Sequence, residues 1–182
     1  TVVVSREQTG GRGRFQRVWV SPPDTSIHLT AVLRPNIREL SGISIAASLA
    51  IVDCIQRMTK LPCTVKWPND VRIRGKKVAG ILVETSIGQN GPIYALLGIG
   101  VNVNLDPSQY PEIATIATSL YQETSRKMNI EQTLGNLLWD LDTQYRLIKE
   151  GHSPVIRWRN LLDTLNKKVN VSWGNNILIG IA

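Results

Sequence analysis

Residues 66–84 read Lys66-Trp67-Pro68-Asn69-Asp70-Val71-Arg72-Ile73-Arg74-Gly75-Lys76-Lys77-Val78-Ala79-Gly80-Ile81-Leu82-Val83-Glu84, and their punctuation decides the fold. Short extended segments around Thr64–Lys66 and Val71–Ile73 flank a Trp-Pro pair, which makes a stiff turn able to hold Asn69 and Asp70 in fixed directions. Arg74-Gly75-Lys76 then folds the chain back onto Val78–Thr85 as a hairpin. Within that second strand strict alternation puts Lys77 and Gly80 on opposite faces. If both meet one ligand, either a bulge intervenes or Gly80 is approached from its backbone. Lys76 reads as a solvated turn lysine.

Outward from this hairpin, strands and helices alternate. Ile93 to Val103 is apolar and broken by Gly98 and Gly100, which suits a buried strand approached at its backbone. Ile27, Leu29, Ala31 and Leu33 alternate with His28, Thr30 and Val32, and Thr1–Ser5 is a further β-branched run. A helix is expected from an Asn36 cap to about Thr59, stopped by Pro62. A second starts at Asn129, with Gln132 completing a capping box, carries a Leu134–Leu137–Leu138–Leu141–Tyr145–Ile148 stripe and ends at Gly151. Ser153-Pro154 opens a short third helix, with serine as cap and proline at the first helical position. After Asn166, Val169–Trp173, a turn at 174–176 and Ile177–Ile181 read as the start of a small β-module.

The chain of 182 residues carries 21 Lys+Arg against 14 Asp+Glu, a formal charge of +7. Residues 1–80 hold 13 basic and 5 acidic side chains, whereas residues 81–182 hold 8 and 9. The excess is local, which excludes a generally basic packaging protein and points to an anionic partner of the first part. A hydrophobic share of 42% can fill a core, so disorder is excluded as well. No apolar run approaches the roughly 20 residues of a membrane span. Two cysteines, Cys54 and Cys63, cannot form a multi-bridge framework, and a reduced cytoplasmic setting is expected.

Four segments carry chemistry. Gln8-Thr9-Gly10-Gly11-Arg12-Gly13-Arg14-Phe15-Gln16-Arg17-Val18-Trp19 joins free backbone to guanidinium forks suited to phosphate, with an indole for a flat ring. A solvated basic loop or an RGG-like nucleic-acid segment reads equally well on composition alone. In Lys66–Asp70 an amide can read a purine edge and a carboxylate can orient a cation, although an ordinary turn has the same composition. Gly75–Glu84 brings a lysine into a strand of small residues. Gly98-Ile99-Gly100-Val101-Asn102 ends a strand with glycines and an amide, as nucleotide sites and tightly packed strands both do. Neither a Walker loop nor a GxGxxG fingerprint occurs.

In this order and spacing the four segments resemble the catalytic domain of biotin–protein ligases, over roughly residues 1–105, with the helical stretch to about residue 163 fitting in kind. The resemblance implies an α+β fold with a mixed central sheet flanked by helices, like class II synthetases and lipoate ligases, followed by a small SH3-like β-barrel. It divides the chain into a catalytic domain at 1–166, lacking its N-terminal edge and the family's Ser-Thr-Asn-type segment, and the start of an incomplete barrel at 167–182. It implies activation of biotin by Mg²⁺–ATP to biotinyl-5′-AMP, then transfer to a lysine of the biotin carboxyl carrier protein of acetyl-CoA carboxylase.

By the same resemblance Lys77, Arg14 and Asp70 are catalytic, and Gln8, Gly11, Arg12, Lys77 and Gly80 meet biotin. Arg14, Arg17, Trp19, Lys66, Asn69 and Asn102 meet ATP or the adenylate, and Asp70 the metal. Phe15 and Gln16 stand where many relatives have a basic residue and a glycine. His28, where relatives often have an aromatic, reads as a packing or hydrogen-bonding residue. A homodimer through a sheet edge stays open. The competing readings are a lipoate or octanoate ligase of the same superfamily and a basic nucleic-acid-binding module, the latter without any helix-turn-helix or RNP-type pattern.

Overall fold

The structure is a computed structural model that describes residues 1–89, 91–174 and 176–182. Six strands form one sheet in the order β1-β2-β6-β5-β4-β3, comprising Val2–Ser5, Ser26–Leu33, Gly91–Asn102, Lys76–Gly88, Asp70–Ile73 and Thr64–Lys66 respectively. Every ladder is antiparallel, and the parallel component is confined to isolated bridges, Lys77 to Ala117 and Val65 to Leu162. The α+β class with a mixed sheet and flanking helices therefore holds.

Helices cover one face. The expected helix at 36–59 is two: α1, Ile37–Leu40, and α2, Ile43–Thr59. Asn36 caps α1 in a full capping box with Glu39, and the chain breaks at Ser41-Gly42. Gly42 sits where a Cβ would lie 2.9 Å from Ile148 Cδ1, so the break seats α2 against α4, Ile130–Lys149. Ile51 and Ile55 of α2 meet Ile81, Leu97 and Ile99 of the sheet and Leu137 and Leu141 of α4 in one apolar core. At Asn129 the capping is one-sided, the side chain accepting from Gln132 N. α5 starts a residue later than expected, at Val155, with Pro154 as an uncapped N-cap, because Pro154 is the first residue to turn helical. α3, Leu120–Thr124, had no periodic signal.

Two partly shielded ion pairs stitch the helices. Arg57 reaches Asp140 through both nitrogens, at 2.9 and 2.7 Å, and Asp53 accepts from Gln144 and Arg157. Burial pushes the Asp140 carboxyl up, which the Arg57 guanidinium opposes. The last strands, β7 (Lys168–Trp173) and β8 (Asn176–Ile181), form a separate antiparallel pair. The turn expected at 174–176 includes Asn175, which lies outside the described residues.

Candidate active site

The face opposite the helices carries the site. One cross-strand row runs through all six strands, Ser5–His28–Gly100–Gly80–Asp70–Lys66. The adjacent row on that face is Thr30–Gly98–Leu82. Because Gly80, Gly98 and Gly100 carry no side chain, the middle of the sheet is a bare backbone floor. Above it lies a cavity of about 380 Å³, within the range of small-molecule sites.

The lysine reaches this floor by the first of the two routes the sequence left open. The β4–β5 register slips between Val71 and Arg72, so that Val71 faces Ala79 while Arg72 faces Lys77. Val78 is the extra residue of a β-bulge, and Val78 and Ala79 are both fully buried. The slip puts Lys77 on the same face as Gly80, where its Nζ lies 3.0 Å from the position a Gly80 Cβ would take. Its backbone is held on the other side by Ile116 O and Thr118 N, at 2.9 and 2.8 Å. Asp70 Oδ1 pairs with Lys77 Nζ at 2.7 Å, both side chains being largely shielded from water.

The arginine segment folds over the floor as a miniature hairpin. Arg12 bridges Val18, Trp19 N donates to Gly11 O at 2.9 Å, and Gly13 N donates to Arg17 O at 2.7 Å. At the tip Phe15 and Gln16 both hold positive φ, 56° and 57°, the conformation of two-residue hairpin turns that favours Asn-Gly. Neither residue is a glycine, so the tip carries backbone strain of about 1–2 kcal/mol per residue. Gly11 is required where it stands, since a Cβ there would lie 2.6 Å from Trp19 O. The Trp19 indole lies over the floor, 2.5 Å from the position of a Gly100 Cβ and 3.1 Å from that of Gly80. Lys77 Nζ sits 5.2 Å from its ring centroid.

Of the residues singled out by sequence, the cavity brings together Gln8, Arg12, Arg14, Trp19, Asn69, Lys77 and Gly80, with Gly11 behind them in the loop backbone. Asn69 Nδ2 is committed to Ile81 O at 2.8 Å, which leaves its oxygen. Asp70 stands behind Lys77, and Lys66 ends the same row. Arg17 shapes the loop through its backbone and does not line the cavity. Nor does Asn102, which is buried: its Nδ2 donates to Thr118 O at 2.9 Å, and its Oδ1 is without a partner. Sequence reasoning missed Thr30, Leu82 and Glu84 on the cavity wall. Glu84 had a signal, being two and four residues from Leu82 and Gly80 and so on their face.

His28 is buried, and its Nε2 lies 2.8 Å from Ser21 Oγ, which also accepts from Gln8 N at 3.1 Å. Which of Ser21 Oγ and His28 Nε2 donates is set by the imidazole tautomer. Burial pushes the imidazole pKa down. This is the hydrogen-bonding role expected for a lone histidine.

For a dication, the donor set is sparse. Among the described residues no three His, Cys, Asp or Glu side chains gather. Asp70 with an Mg²⁺ held mainly by phosphate oxygens fits the way that ion is bound in nucleotide sites.

The family model of the biotin/lipoate A/B protein ligases matches residues 1–104. The chain belongs to this family. Among biotin/lipoate ligase relatives, the bifunctional ligase/repressor BirA of Bacillus subtilis is 35% identical over 159 residues, covering 85% of this chain and 49% of that protein. The biotin–[acetyl-CoA-carboxylase] ligase of Mycobacterium tuberculosis is 30% identical over 165 residues, covering 87% and 55%. The chain thus spans about half the length of these relatives. The Aquifex aeolicus biotin protein ligase, solved with biotin and ATP, superposes with a TM-score of 0.84 at 26% identity, covering 98% of this chain and 75% of that one.

Proposed function

We propose that this chain is the catalytic part of a biotin–protein ligase. In the first step a biotin carboxylate oxygen attacks the α-phosphorus of ATP, giving biotinyl-5′-AMP and pyrophosphate. In the second, an amine of the biotin carboxyl carrier protein of acetyl-CoA carboxylase attacks the acyl carbon, and AMP leaves. The observation that carries the reading is Lys77, turned by the bulge onto a glycine floor beneath an arginine hairpin. A carboxylate and a triphosphate repel each other, and a fixed cation between them lowers the barrier without reorganising.

In this reading Lys77 and Arg14 face the carboxylate and α-phosphate, and Arg17 joins them when the hairpin closes. Gln8, Gly11, Arg12 and Gly80 meet biotin. Trp19 and the Asn69 oxygen serve the adenine, whose amino group needs acceptors, while Asn102, buried off the cavity, holds Thr118 behind the site. Lys66 and Asp70 serve the triphosphate and its Mg²⁺, which supplies charge neutralisation when bound. Residues 1–166 form the catalytic unit, and the β7–β8 pair within 167–182 belongs to an SH3-like module. Among the described residues no helix is long and apolar enough to cross a membrane. A homodimer through β1, where Val2, Val3 and Val4 are exposed, belongs to the same reading. Use of ATP and two buried free thiols support a cytoplasmic setting.

The test is biotin-dependent ATP–pyrophosphate exchange. Wild type should exchange with biotin and not with lipoate or octanoate, and Lys77→Ala should lose at least 100-fold without a change in melting temperature. Exchange supported by lipoate instead would move the chain to the lipoate branch of the family. Full exchange in Lys77→Ala would sink the assignment of the lysine.

A further inference from the structure

The cavity wall contains one feature that a site for anions does not call for. Biotin and ATP are both negatively charged, and Glu84 is a carboxylate on the wall. Its side chain is about half exposed, and the nearest cation, Arg12 Nη2, stands 3.9 Å away, too far for a hydrogen bond. An acid facing anionic substrates weakens binding unless it meets donors on one of them.

Position identifies which donors. Glu84 lies four residues beyond Gly80 on the open face, about 13 Å along the strand at roughly 3.3 Å per residue. Lys77 Nζ sits over Gly80, so the two charges mark opposite ends of the slot. Between them lie the bare Gly98 and Leu82, a surface for methylenes. An acyl tail whose carboxylate lies at Lys77 therefore delivers its head group to Glu84, Thr30 and Arg12. A cyclic urea presents two N–H donors and one carbonyl there. A dithiolane or a plain acyl chain presents no donor.

We propose that Glu84 is a specificity-determining residue, whose carboxylate accepts a urea N–H of the substrate's head group and is left unpaired by acids without one. Thr30, two strands away on the neighbouring row, lines the same cavity. This rests on the reading of the site as biotin-activating, because the urea is the donor. The selectivity follows the general asymmetry of polar sites, which reject a ligand that leaves a desolvated polar group unpaired more strongly than they reject a change of size.

The experiment measures biotin KM and kcat by ATP–pyrophosphate exchange for wild type, Glu84→Gln and Glu84→Leu. Biotin, desthiobiotin and an N-methylated biotin serve as substrates. Glu84→Leu should raise the biotin KM tenfold or more while kcat and the ATP KM stay within twofold. Glu84→Gln, which keeps an acceptor oxygen, should fall between. Desthiobiotin, which keeps the urea, should show the same loss as biotin. N-methylated biotin should bind wild type poorly and lose little more in Glu84→Leu. An unchanged biotin KM in Glu84→Leu overturns the proposal. So does a loss that vanishes when Arg12→Leu is already present, since Glu84 would then act only by anchoring that arginine. Wild type without any biotin-dependent exchange is a different result, and refutes the parent reading instead.

Discussion

Replacing Gly100 by alanine tests whether the floor must be bare backbone. The Gly100 φ is not in the left-handed region, so alanine adds no backbone strain, and in an extended strand it is slightly favoured. The added Cβ would lie 2.5 Å from Trp19 Cζ2 and 2.6 Å from Cε2. Ordinary contact begins near 3.4 Å, so the indole must move by about 0.9 Å, the difference between those distances. A misplacement of about 1 Å in a positioning group can cost up to 100-fold in rate. Gly100→Ala should therefore lower biotin-dependent pyrophosphate exchange by roughly 10- to 100-fold, about 1.4–2.7 kcal/mol. Its melting temperature should stay within a few degrees of wild type. The mechanism is checked in a Trp19→Leu background, where adding Gly100→Ala should cost less than twofold because the clashing ring is gone. Exchange within threefold of wild type, or a loss undiminished in that background, would refute the reasoning.

Three further outcomes follow from groups away from the cavity. Arg57→Leu leaves the buried Asp140 carboxylate without its bidentate partner. Allowing for the half-exposed arginine, it should destabilise by about 2 kcal/mol, a drop of roughly 4–8 °C in melting temperature that Arg57→Leu with Asp140→Leu should largely recover. Because burial lowers the pKa of His28, the folded chain binds that proton less readily than the unfolded one. The resulting stability is complete above the unfolded value of about 6.5 and is lost as pH falls toward the folded one, so melting temperature should decline from pH 7 to 5.5, less steeply in His28→Gln. Burial raises the pKa of both Cys54 and Cys63 to about 12. Iodoacetamide at pH 8 should accordingly label neither thiol in the folded chain and both after denaturation; rapid native labelling would contradict the packing around α2.

Much of the architecture was legible because it is local. The Arg74–Lys76 turn, the alternation in β2 and the stripe along α4 each announce themselves within a few residues. The glycines of the floor and the lysine beside them were also visible. What escaped was set by partners distant in sequence. Arg57 meets Asp140 across 83 residues, so the polar positions on the α4 stripe looked like interruptions rather than contacts. The 116–118 segment that grips the Lys77 backbone has no period of its own. The break at Ser41-Gly42 follows from Ile148, more than a hundred residues later. Asn102 was assigned from its place after two glycines, and only the folded chain reveals that its amide is spent on Thr118. Glu84 was overlooked because it sits in a run of apolar residues, and which side of the strand it takes depends on how that strand lies against its neighbours.

The bulge at Val78 has a consequence for how the strand tolerates change. It works as a phase shifter in the pleat: upstream residues count odd and even one way, downstream residues the other. Pairing Val78 in register opposite Arg72 would smooth the ladder locally, yet it would turn the lysine toward the helices and close the slot to chemistry. A better sheet would thus be a worse catalyst. The same reasoning marks β5 as a segment where added length is under tighter control than composition, since most single substitutions leave the phase intact and a residue inserted between Lys77 and Gly80 would not.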